Sequence, residues 1–127
     1  MTVPFATHHK AGIAFVDARA DAAFREALLR SVPSSLRGKM QEALAATPDA
    51  AAMAHSIRYF GAELNSIKAQ VAPLVEHLNL YLGRSLQLPG FLDWLNLTNF
   101  GNDYRMIKVF KGWSEMKLSE PTPRVIQ

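Results

Sequence analysis

Between Met53 and Tyr81 the apolar residues recur at alternating spacings of four and three: Met53, Ile57, Phe60, Leu64, Ile67, Val71, Leu74, Leu78 and Tyr81. This rhythm lays one narrow apolar seam along a long helix, the arrangement used where helix docks on helix. It commits the chain to an all-α fold and carries no chemistry. The seam packs against other helices of the same chain or pairs two copies as a coiled coil, giving a homo-oligomer through the long helix, and the two can coexist. Glu63 and Lys68 flank it where they could pair across a parallel dimer. Val75 and Leu82 widen the apolar face toward its end, which suits an internal bundle better.

The flanking segments supply helices for the seam to pack on. A first helix is expected from Asp17 to Val32, with Ala20, Phe24, Ala27, Leu28 and Val32 on one face, ended by Pro33. Ser34 or Ser35 can cap a second helix carrying Leu36, Met40 and Leu44. Thr47, Pro48 and Asp49 read as the start of the long helix: a hydroxyl cap, a proline at the first position and an acid in the first turn. Within it Gly61 is a mild weakness, about 1 kcal/mol against alanine. Pro73 is the serious one, about 3 kcal/mol, so a kink or break is expected just before it. Gly83 is placed to end the helix in a left-handed conformation. After the Pro89–Gly90 turn come a short helix from Phe91 to Leu97 and a loop over residues 98–102. A last helix follows, capped by Asp103 and running to about Leu118. The expectation is a bundle of about five helices over residues 17–118, between an N-terminal arm (1–16) and a C-terminal tail (119–127). The arm, with Phe5, Ile13, Phe15 and Val16, is expected to pack on its own body or on a neighbour.

A chain of 127 residues is most simply one domain, burying roughly two thirds of its unfolded surface. It is 49% hydrophobic and has no cysteine, which excludes disulfides, thiolate metal sites and cysteine nucleophiles. No signal-like start and no apolar run of about 18 residues is evident, so a soluble chain is expected, cytoplasmic or virion-associated. The net charge of +3 is unevenly spread, with six basic and four acidic residues in 84–127. That density is low for nucleic-acid binding, which is disfavoured.

Catalytic and metal-binding patterns are missing from the sequence. His8 and His9 are adjacent on the arm, and His55 and His77 lie too far apart on one helix to share a metal; none belongs to an H-E-x-x-H motif. Asp93 and Asp103 flank the loop but imply no cleft, and no serine lies in a G-x-S-x-G setting. No enzyme, cofactor or metal is expected. The last helix is more informative. Arg105, Lys108 and Lys111 recur every third residue, extended by Lys117, and run beside a stripe of Ile107, Phe110, Trp113 and Met116. Such a helix either buries one face and solvates the other, or docks an acidic partner through Arg105, Lys108, Lys111, Trp113 and Lys117.

The segment from Leu88 to Phe110 resembles the C-terminal part of tailed-phage head scaffolding proteins. These carry a short helix, a turn of the Thr-Gly-Leu-Gly-Asn type, and a helix of mixed basic and apolar residues. The turn appears here as Thr98-Asn99-Phe100-Gly101-Asn102-Asp103 and the helix as Tyr104 to Leu118. Asn99 stands where glycine is usual, and Tyr104 where proline is common; asparagine also tolerates left-handed geometry. The likeness covers about a quarter of the chain. It implies a helical, non-enzymatic assembly protein that contacts a capsid subunit through its basic C-terminal helix. The alternatives are a small accessory subunit or protein inhibitor of a larger complex and, third, a helical nucleic-acid-binding domain.

Overall fold

A computed structural model of the chain describes residues 18–119, with side chains through Met116. The arm, the tail beyond Ser119 and the Lys117 side chain lie outside the described residues. The fold is an all-α helical bundle: α1 (Ala18–Ser31), α2 (Arg37–Ala45), α3 (Ala52–Phe60), α4 (Leu64–Arg84), α5 (Phe91–Leu97) and α6 (Tyr104–Ser119). Short 3₁₀ turns at Ser34–Leu36, Gly61–Glu63 and Phe100–Asn102 lead into α2, α4 and α6.

The expected long helix is divided, and at the glycine instead of the proline. Gly61 adopts φ 61°, ψ −136°, a conformation that L side chains rarely take, and this ends α3. α4 runs through Pro73 without interruption for 21 residues. Pro73 and Ala69, whose carbonyl loses its donor, are both solvent-exposed, so water can satisfy that group. Val71, Leu74 and Leu78 are buried on the opposite face. At about 1.5–3 kcal/mol each, their burial outweighs the proline penalty.

Division of the helix also divides the seam. Leu64, Ile67, Val71, Leu74 and Leu78 are buried inside the chain, with Met53 and Phe60 partly covered, whereas Ile57 and Tyr81 are exposed. α3 docks instead through Ala52 and Ser56, and the Ser56 hydroxyl donates to the Asn102 carbonyl at 2.5 Å. The central seam is therefore spent on packing within the chain.

Other local expectations shift by a few residues. Neither Ser34 nor Ser35 caps the second helix; Ser35 Oγ instead donates to Met116 Sδ at 3.7 Å. Pro48 is buried in the α2–α3 connection, and Asp49 Oδ1 accepts the Ala51 N–H at 2.9 Å, so α3 begins at Ala52. Gly83 lies within α4, and the left-handed residue after the helix is Gln87, φ 53°.

The main core is aromatic at its centre. Phe24 of α1 lies 5.3 Å from Trp94 of α5 between ring centroids, and Trp94 lies 5.3 Å from Phe100. Around them pack Leu28, Met40, Leu78, Leu82, Met106 and Phe110. A smaller cluster joins Leu64 and Ile67 of α4 to Ile107 of α6. Further along, Gln70 of α4 donates to Ser114 of α6 at 3.0 Å, so the two helices run side by side in the same direction. α6 packs against α2, α3 and α4, which leaves one outward strip of its surface uncovered. No described helix is long and apolar enough to cross a membrane.

Candidate functional site

α6 begins where the sequence places it. Asn99 takes φ 65°, using the left-handed tolerance of asparagine, and redirects the chain out of α5. Thr98 Oγ1 donates to the Trp94 carbonyl at 2.6 Å and accepts the Phe100 N–H at 3.3 Å, which holds the turn. Asp103 then caps the helix: its Oδ2 accepts the backbone N–H groups of Arg105 and Met106 at 3.1 and 3.3 Å. The buried carboxylate is balanced by Arg105, whose Nη2 donates to Asp103 Oδ1 at 3.1 Å. That hydrogen bond raises the Arg105 pKa above its ordinary value against an opposing effect of burial. Asp93 is exposed on α5, whereas Asp103 is committed to the cap.

The structure separates the basic residues of α6. Lys111 bonds Glu115 at 2.6 Å, and Glu115 also accepts from Gln70 of α4 at 3.3 Å. The Lys111 ammonium, then the Gln70 amide, hold the Glu115 carboxyl below its usual value. Lys108 is different. The ion pairs formed among the described residues include neither Lys108 nor Lys39. Lys108 Nζ instead lies 5.2 Å from the ring centre of Tyr59 on α3. Tyr59 stacks on Tyr104 with centroids 4.7 Å apart, and the Arg105 guanidinium lies 4.9 Å from the Tyr104 ring centre. Arg105 and Lys108 also share a small cleft of about 60 Å³ with Lys39 and Glu42 of α2.

Trp113, expected on the docking face, is 6% exposed and belongs to the main core; Ile107 and Phe110 are buried with it. Met116 alone of that stripe is exposed. What remains outward is a strip crossing three helices: Tyr59 (52% exposed) on α3, Tyr104, Arg105 and Lys108 on α6, and Lys39 on α2. Sequence reasoning missed Tyr59, Tyr104 and Lys39 as members of this surface. A signal for Tyr59 was present, because it is a large aromatic residue off the apolar phase of its own helix. Chemically, the strip offers cations held beside aromatic faces, suited to carboxylates flanked by apolar groups.

Other concavities occur among the described residues. A groove of about 420 Å³ between α1, α4 and α6 has Leu74, Leu78 and Trp113 in its lining, with exposed Tyr81 and Leu86 at its edge. A cavity of about 250 Å³ lies between the start of α1, the α2–α3 connection and the turn after α5. His55 and His77 are both exposed, on separate helices, and no group of metal-ligating side chains forms among the described residues. No protein-family model, curated protein or solved structure matches this chain.

Proposed function

We propose that this chain is a non-enzymatic assembly protein of the phage-head scaffold kind, which holds an acidic protein partner against the outer strip of α6. The observation that carries the reading is Lys108, an ammonium held over the half-exposed Tyr59 ring and outside the chain's described ion pairs. A cation kept at a surface by an aromatic face has its charge available to a partner. Lys39 adds to the field, offset in part by Glu42 in the same cleft, and Tyr59 supplies apolar contact beside it. The local geometry of the Thr98–Asp103 turn supports the scaffold-like reading, since Asn99 does the work of the usual glycine.

The test is co-expression with the proteins encoded beside it, followed by gradient sedimentation. The chain should co-sediment with a large particle or subunit. A Lys39→Glu/Lys108→Glu variant that remains folded should lose this, and Lys111→Glu should retain most of it. Unchanged co-sedimentation of the double variant would count against the proposal. A stoichiometric complex with a protein that forms no shell would favour the accessory-subunit reading.

A further inference from the structure

We infer that the groove between α1, α4 and α6 is a binding site for a small amphipathic carboxylate, an apolar body carrying one acid group. This goes beyond the outer strip of α6 and does not depend on it. Helical spacing builds two of the walls. Ala27, Arg30 and Ser31 lie three and four residues apart on α1, and Leu74, His77, Leu78 and Tyr81 repeat in the same way on α4. Leu86 adds an apolar edge, and α6 contributes Trp113. The apolar members suit a hydrocarbon body. The polar members are left to a ligand: Ser31, His77, Tyr81 and Trp113 make no side-chain hydrogen bond among the described residues. Trp113 matters most, because it is only 6% exposed and its indole N–H can only donate. A buried donor of this kind is costly until it finds an acceptor.

Charge and size select the occupant. No aspartate or glutamate lines the groove, so an acid meets Arg30 and His77 there without an opposing carboxylate. Arg30 does bond Glu26 at 2.7 Å, but both side chains are largely exposed, and such a pair is weak. The guanidinium also has further N–H groups in the fork that matches a carboxylate. Glu26 itself lies along a neighbouring hollow with Ala23 and Leu88. The groove volume of about 420 Å³ falls within the range of small-molecule sites, roughly 300–1,000 Å³. A single helical turn, about 5.4 Å long and at least about 10 Å across, would fill it, so a docked helix of several turns does not fit.

The test is a heteronuclear NMR titration of the isotope-labelled full chain with sodium octanoate, kept below its micelle threshold. The Trp113 indole N–H resonance should shift saturably. That of Trp94, bonded to Asp21 in the core, should stay in place and report that the chain remains folded. Octylamine, of the same length and opposite charge, should leave the Trp113 resonance unmoved. Arg30→Glu should weaken octanoate binding about tenfold. Arg58→Glu, the same charge reversal at an exposed position of α3 outside the groove, should leave it unchanged. Absence of a saturable Trp113 shift in the wild-type chain overturns the inference. An equal shift with octylamine, or equal weakening by the two variants, overturns it too, because neither would reflect an acid group held at Arg30.

Discussion

Trp94 Nε1 donates to Asp21 Oδ1 at 2.8 Å, joining the fully buried indole of α5 to the first turn of α1. The same carboxylate bonds Arg25, which reaches the last turn of α2, so one acid ties three helices together. Asp21→Ala should cost about 1–3 kcal/mol, because it leaves the buried N–H without an acceptor. Asp21→Asn should cost less, since its amide oxygen can still accept. Chemical denaturation of the two variants checks the order.

The break at Gly61 leads to a contrasting pair of outcomes. A Cβ at position 61 would meet no atom within 4 Å, so the requirement for glycine is conformational only. Gly61→Ala should therefore destabilise by about 1–3 kcal/mol through backbone strain. Pro73→Ala restores a helical donor on an exposed face and should stabilise by about 1–2 kcal/mol. Thermal unfolding of both variants would reveal an inverted order if the long helix broke at Pro73.

Asp103 is the hinge pin of the α6 entry. Asp103→Ala removes an acceptor for two backbone donors and should cost about 1–2 kcal/mol. Asp103→Asn should recover much of the cap but not the ion pair with Arg105. Amide exchange at Arg105 and Met106 reports the loss locally.

Glu115 sets a small pH dependence. Its folded pKa lies below the ordinary carboxylate value, chiefly through the hydrogen bond from Lys111. Between the folded and unfolded values the unfolded chain binds more protons, so stability rises with pH there. The contribution is complete above the unfolded carboxylate value and is lost as pH falls through the lower folded one. It should be slight, because the pair is exposed. Glu115→Gln should flatten the melting temperature against pH across that interval, and an unchanged slope would refute the assignment.

Much of the bundle is legible in the sequence because periodicity reports burial directly. The α1 face of Phe24, Ala27 and Leu28, the α4 positions from Leu64 to Leu78, the Asp103 cap and the left-handed Asn99 all follow from local rules. Gly61 and Pro73 were misjudged because propensity ranks their average costs. The actual costs depend on which face is solvated and which φ the chain needs. The outward strip of α6 was half legible. Spacing identifies Lys108 and Lys111 as equals, but tertiary neighbours decide that Glu115 and Gln70 engage one while Tyr59 carries the other. Trp113 looked available because its burial depends on α1 and α4, which a one-helix pattern does not contain.

The most direct test of partner docking is site-specific photo-crosslinking in cells that make the full chain. A photoreactive amino acid at Tyr59, beside Lys108, should yield one discrete crosslinked protein species, diminished by Lys108→Glu. The same group at Leu80, exposed on α4 away from the strip, should yield none. A crosslink from position 80 with none from position 59 would contradict the account.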